Sequence, residues 1–236
     1  SPEPAPQQSE MVMVNIGNSP KFSTAGLATT PACSDSRKTA YILEGIVPTG
    51  GWAVHWLRDS LHLIDSIQET SAIAQSVQDS KNLYLVPQYE NSGSMQAPGG
   101  ILGLAPDVTK AHLVKGALES VAFQTKRMMD VVAKEGKTQI RSVFVDGPMS
   151  QNDFLLQFQA DISDVPVART KLGETACLGV SYLAGMAIKQ FKSIHGIARL
   201  RPLDQNFRSK VSGSERKKLQ SGWDGAVATL LKKTKK

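Results

Sequence analysis

VFVDGPMSQNDFLLQFQADISDVPVAR, residues 143–169, reads as a strand, a tight turn, a helix and a second strand. Val143, Phe144 and Val145 are β-forming residues that run into Asp146. Gly147 and Pro148 then demand a turn, because glycine admits backbone angles that other residues avoid and proline fixes φ without an N–H to donate. The helix opens at Asn152 and Asp153, with Asp153 in the first turn, where the helix dipole favours a carboxylate. A strand end, a turn that brings backbone close to a ligand, and a helix N-terminus with unpaired N–H groups together suit a phosphate or an adenine ring.

Working outward, residues 1–8, SPEPAPQQ, carry three prolines and no apolar pattern, which predicts an extended lead-in. MVMVNIG (Met11 to Gly17), GLATTPACS and TAYILEGIV predict three successive strands joined by short turns as a meander. Gly50-Gly51 marks the change to helix. Val54, Leu57 and Leu61 share one helical face, and Ile64 to Val77 predicts a second amphipathic helix. LYLVP (residues 83–87) predicts a short strand ahead of a polar loop. From Asp107 a long helix keeps Leu113, Ala117, Val121, Met128 and Val132 on one face and stops near Gly136.

Downstream, ETACLGVSYLAGMAIKQF predicts a helix whose Ala176, Gly179, Val180, Leu183 and Ala184 form a small-residue face for close packing. Gly179 and Gly185 each cost about 1 kcal/mol there relative to alanine. A final helix, Ser214 to Lys236, presents Leu219, Trp223, Val227 and Leu230 as its buried stripe. Strands followed by alternating helices and strands give an α/β layered domain over residues 9–212, with 213–236 as a basic C-terminal helix and tail.

The composition, 236 residues with 41% hydrophobic, is ordinary for a globular protein of one large domain or two small ones. No apolar run reaches the roughly 18 residues of a membrane span. Residues 1–200 hold 17 Lys and Arg against 18 Asp and Glu, and residues 201–236 hold 10 against 3. The +6 net charge therefore belongs to the C-terminal end. Its Lys217, Lys218, Lys232, Lys233, Lys235 and Lys236 offer a surface to an acidic partner, an anionic membrane or nucleic acid. They equally suit a solvated helix end, and no aromatic residue interleaves with them, which disfavours single-stranded nucleic acid.

Cys33 and Cys177 have no CxxC spacing and read as two buried thiols of an intracellular, reducing compartment. A start at Ser1 fits a mature organellar protein, such as a mitochondrial one, or a part of a longer chain. His55 and His62 lie seven apart but lack a third ligand, so no metal site is expected from them. His112 is expected to support a helix start, and Glu44 to pair with an arginine. Asp146 and Asp153 bracket the central turn, where they could face Mg²⁺.

Four stretches carry a family resemblance. LEGIVPTGGWAVHWLRDSL (Leu43 to Leu61), GGILGLAPDVTKAHLVKGALESVAFQT (Gly99 to Thr125), VDGPMSQNDFLLQFQADISDVPV and ETACLGVSYLAGMAIKQF resemble the C-terminal domain of glycerol kinase, within the FGGY carbohydrate kinases. In the second stretch His112, Leu113, Ala117, Leu118 and Glu119 fit the family signature, with Gly116 where a small Ala or Ser is usual. The similarity spans residues 9 to about 230. It implies an actin/hexokinase-like (RNase H-like) fold, a mixed sheet flanked by helices, with ATP docking mainly on this domain and the polyol on an N-terminal one. The resemblance places the Asp that deprotonates the substrate in that N-terminal domain, so it assigns no catalytic residue here. Gly147 and Asn152 match its adenosine-binding segment, which makes ATP with Mg²⁺ the ligand to expect if the pocket survives.

Four departures bear on that expectation. The phosphate-holding Gly-Thr-Gly loop of the family falls on Gln7-Gln8-Ser9, and two glutamines cannot give the backbone approach of glycine. The aromatic residue that contacts glycerol falls near Met11. Pro148 stands where a second glycine is usual and removes an N–H from the phosphate-facing turn. The loop between Pro87 and Gly99 is also shortened. The resulting expectation is a degenerate kinase domain acting as a non-catalytic structural or assembly subunit, with protein partners on the face where an N-terminal domain would pack. The alternatives are the ATP-binding half of a split kinase whose catalytic Asp lies on another chain, and a regulator that senses ATP.

Overall fold

A computed structural model of the chain describes residues 9–34, 38–87, 89–91, 95–97, 99–171, 175–191, 193, 196–197, 200 and 203–233. The expected lead-in, Gln7, Gln8, and the Lys235–Lys236 end of the basic tail lie outside them. Three antiparallel strands open the fold: β1 (Glu10–Gly17), β2 (Ala28–Ser34) and β3 (Thr39–Val47). Their order is β1-β3-β2, not that of a meander. β3 carries Ile42, Leu43, Ile46 and Val47 and is the strand best suited to have a neighbour on each side. The 18–27 connection therefore crosses to the far edge, and polar bonds to one helix end hold it there. Lys21 Nζ donates to the Gly136 carbonyl at 2.5 Å. The Ser23 hydroxyl and Thr24 N–H donate to the Glu135 carboxylate at 2.8 and 2.9 Å.

Helix α1 (Trp52–Asp59) buries Ala53, Val54 and Leu57. It stops before Leu61, which is 41% exposed, so that residue does not share the buried face as the spacing predicts. The second predicted helix shrinks to α2 (Thr70–Gln75). The Glu69 carboxylate captures the Asp65 and Ser66 N–H groups, which fixes 65–69 as a turn. β4 (Tyr84–Val86) pairs antiparallel with β7 (Gly100–Leu102), and β5 (Tyr89–Asn91) pairs with β6 (Met95–Ala97) between them. Gly103 follows at φ +84°, where a Cβ would lie 2.2 Å from the Asn82 carbonyl oxygen, so only glycine fits.

The long helix α3 (Lys110–Gly136) runs through the centre. His112 does support its start: its Nδ1 accepts the Thr109 N–H at 3.1 Å and lies 2.8 Å from the Thr109 hydroxyl. α1, α2, β1, β3 and β4 all pack against α3. Val114, Leu118, Ala122 and Phe123 are consequently buried along with the predicted stripe, of which Leu113 and Met128 are only half-buried.

β8 (Val143–Val145), a 3-10 turn (Pro148–Gln151), α4 (Asp153–Ser163) and β9 (Val167–Thr170) follow in the predicted order. β8 and β9 are parallel, and β10 (Leu203–Phe207) adds antiparallel to β9, so this second sheet is mixed. α4 packs on α3, and α6 (Gly213–Lys233) closes over both with Trp223, Ala226 and Val227. The Phe123 ring is stacked on Trp223 at 4.9 Å and edge-on to Phe158 at 5.4 Å, joining three helices.

α5 (Thr175–Ala187) departs from expectation. Its small-residue face is open, with Val180 68% exposed, and only Gly185 is buried, against Phe191. Cys177 lies exposed on the same helix, contrary to the reading of two buried thiols. Spacing reports which residues share a face; what covers the face is a long-range property. No described helix is long and apolar enough to cross a membrane.

Candidate functional site

The turn between β8 and α4 is where the sequence places the site, and each residue in it has a definite task. Gly147 adopts φ +80° and ψ 177°, and nothing lies within 4 Å of where a Cβ would stand. The Cα side of Gly147 thus faces open space. Pro148 follows as the first residue of the 3-10 turn, a position that suits its fixed φ but offers no N–H. The Ser150 N–H and hydroxyl both reach back to the Gly147 carbonyl, at 3.1 and 2.6 Å.

Asn152 is the N-cap of α4 and is 5% exposed. Its Oδ1 accepts the Leu155 N–H at 2.9 Å, and its Nδ2 donates to the Thr70 hydroxyl oxygen at 2.9 Å. Thr70 in turn donates to the Ile67 carbonyl at 2.6 Å. The Asn152 amide therefore caps one helix and clamps it to the start of another. Gly147 and Asn152 sit in one turn, but the glycine faces outward and the carboxamide is sealed inward.

The two flanking carboxylates are also engaged. Asp153 accepts from Arg169 Nη1 at 2.7 Å, and Asp146 accepts the Thr175 hydroxyl at the start of α5. Among the described residues no group of three His, Cys, Asp or Glu converges as a metal site. His55 lies 3.2 Å from Arg58 Nη2, and burial, then the Arg58 charge, lowers its pKa. His62 falls beyond α1 at φ +51°, so the two histidines do not share a helical face. Glu44 makes no ion pair with any described residue, and Arg37, Arg199 and Arg201 lie outside the described residues.

Sequence reading missed Glu10. It begins β1 directly behind Ser9, the one described residue of the segment expected to hold phosphates. Its Oε2 lies 2.8 Å from the Thr125 hydroxyl of α3, and its side chain packs on Gly50 just ahead of α1. Burial pushes its pKa up to about 7, against a smaller opposing effect of Thr125. The N-cap of α1 is Gly51, which supplies no side-chain cap. The available signal is a lone acidic residue heading an apolar strand.

Residues 8–188 match the C-terminal domain of the FGGY family of carbohydrate kinases. Glycerol kinase from Shewanella sp. (strain ANA-3) is 38% identical over 221 residues, which cover 92% of this chain and 45% of that protein. Glycerol kinase 2 from Thermotoga maritima is 38% identical over 224 residues, covering 93% and 45%. Among solved structures, Plasmodium falciparum glycerol kinase with ADP superposes at TM-score 0.86 with 30% identity, over 94% of this chain and 45% of that one. The xylulose kinase from Rhodospirillum rubrum, at 18% identity and TM-score 0.78, shares the fold. The architecture is thus the actin/hexokinase-like one of the sugar kinases. The chain spans less than half the length of the relatives it matches.

Proposed function

Given that this chain belongs to the FGGY family of carbohydrate kinases, as its C-terminal domain, we propose that it is a degenerate glycerol kinase-like module used for assembly rather than for phosphoryl transfer. The observation that carries this reading is the 147–152 turn. Pro148 withholds an N–H beside Gly147, and the Asn152 carboxamide, in a residue only 5% exposed, bonds within the fold through both its groups and so is turned away from an adenine ring. Phosphoryl transfer depends on donors and Mg²⁺ aimed at the phosphates. Glu10 adds the opposite sign: once ionised, it sets a negative charge behind Ser9, where phosphates would approach.

The outer surfaces support an assembly role. Val180 and Leu183 of α5 and Ile188 just beyond it are exposed, as are Met11, Met13 and Ile46 on the outer face of the first sheet. Apolar surface left open on this scale is characteristic of contact faces. The other half of the kinase fold, in the same polypeptide or another, is the partner we assign to them. The basic stretch around Lys217 and Lys218 is a second, electrostatic docking element for an acidic partner.

One observation favours a second reading. Gly147 keeps the positive φ and the open space that a nucleotide-facing turn needs, which fits the ATP-binding half of a split kinase. An assay in trans separates the two. The chain mixed with MgATP, glycerol and the N-terminal half of a bacterial glycerol kinase is expected to form no glycerol phosphate above that half alone. Turnover in the mixture would replace the assembly role with the split kinase.

A further inference from the structure

A cleft of about 530 Å³ opens between the end of α2, the first turns of α4 and β10, a volume within the range of ligand sites. Two of its lining residues, Asp153 and Gln205, are held by Arg169 behind them. The guanidinium Nε donates to Asp204 at 2.7 Å, Nη1 to Asp153 at 2.7 Å and Nη2 to Gln205 Oε1 at 3.0 Å. The β9–β10 ladder shifts register between Leu203 and Gln205, which brings two consecutive side chains, Asp204 and Gln205, to the same arginine. Arg169 with Asp153, Asp204 and Gln205 carries one excess negative charge. Arg208 and Lys210, both exposed on the cleft wall and in no ion pair with any described residue, outweigh it. Lys217 and Lys218, exposed near the start of α6, extend the positive field.

The backbone of β10 narrows the choice of ligand. β10 is the last strand of its sheet. The Val143 N–H donates to the Pro166 carbonyl at 2.8 Å, so Pro166 and, by alternation, Ala168 direct their backbone groups toward β8. Val167 and Arg169 then point toward β10, where their partners are Phe207 and Gln205. Asn206, between those two, turns its own N–H and C=O to the open edge. Asn206 lines the cleft together with Gln157 and Gln205. Carboxamides and cations alone would suit many polar anions. Beyond Asn206 the Arg208 carbonyl accepts from Gln157 Nε2 at 2.9 Å and the Lys210 N–H donates to Asp161 Oδ1 at 2.7 Å, so Asn206 offers the outward backbone pair that an extended chain matches.

We propose that β10 binds an extended acidic peptide by strand addition, with Asn206 forming the central backbone pair and Arg208 and Lys210 holding glutamate or aspartate side chains of the incoming strand. The probe is a fluorescein-labelled heptapeptide of alternating glutamate and threonine, followed by fluorescence anisotropy at low salt. Saturable micromolar binding is expected. Asn206→Pro should weaken it at least tenfold while leaving the fold intact, because an outward edge N–H is a position where strands tolerate proline. Arg208→Glu with Lys210→Glu should weaken it by a similar factor. The same peptide N-methylated at alternate residues should not bind to the unaltered protein, a control that does not depend on any variant folding. Absence of binding up to millimolar peptide would overturn the proposal. So would binding that survives N-methylation, or that inorganic polyphosphate displaces without any dependence on Asn206, since either outcome means charge attraction alone.

Discussion

Phe123→Ala is expected to lower the unfolding free energy by about 3–5 kcal/mol, the range for deleting a buried aromatic ring. Phe123 is 1% exposed and sits on α3 between Phe158 of α4 and Trp223 of α6. Its removal leaves a cavity where three helices meet and also breaks two ring pairs, each worth about 0.5–1.5 kcal/mol beyond the area they bury. A domain of this size has roughly 5–15 kcal/mol in total, so the variant should stand near the edge of folding. Urea unfolding followed by tryptophan fluorescence and by far-ultraviolet dichroism measures this directly. A loss below about 1 kcal/mol would mean that α6 does not close on the core as described.

The second large effect is a stability that falls as pH rises. Glu119 lies buried in α3, and burial pushes its pKa from 4.5 up to about 7, with a bond from Ser80 and then the Lys115 charge opposing the shift. Lys115 is held beside it by the Val77 and Gln78 carbonyls, each at 2.9 Å. Between pH 4.5 and 7 the folded state keeps a proton that the unfolded chain releases, so the unfolded state binds fewer protons and stability declines. The contribution is complete below pH 4.5 and gone above pH 7. At about 1.4 kcal/mol per pH unit it amounts to roughly 3 kcal/mol. Glu10 acts in the same direction over the same window. Urea midpoints from pH 5 to 8 should therefore fall. Glu119→Gln should remove about half of the slope and make the protein more stable than its parent at pH 8. A midpoint that rises with pH in both proteins would contradict the buried acid.

Much of the fold is legible in the chain because its signals are local. Gly147-Pro148 followed by Asn152-Asp153 announces the β8–α4 turn, and 3.6-residue spacing announces α1, α3 and α6. What escapes is set by distant neighbours or by single side chains. The β1-β3-β2 order depends on how the 18–27 connection is anchored to the far end of α3. The length of α2 depends on Glu69 choosing two N–H groups four and three residues back. The open face of α5 has the same sequence signature as a packed one.

At the site the limit is direction. An asparagine at a helix start reads alike whether its amide points to a ligand or, as Asn152 does, back to Leu155 and across to Thr70. The altered Pro148 was visible at once, since proline changes the backbone itself. Glu10 was not, because its burial against Gly50 and Thr125 joins three segments far apart in the chain.

Calorimetric titration of MgATP and MgADP into the purified chain, carried to millimolar nucleotide, tests the central claim most directly. No saturable heat is predicted, because the turn at Pro148 lacks a donor and the Asn152 amide is already bonded on both sides. Saturable binding to the chain that weakens on Asn152→Ala, in a variant shown to remain folded, would contradict the account and return the domain to the nucleotide-binding kinases.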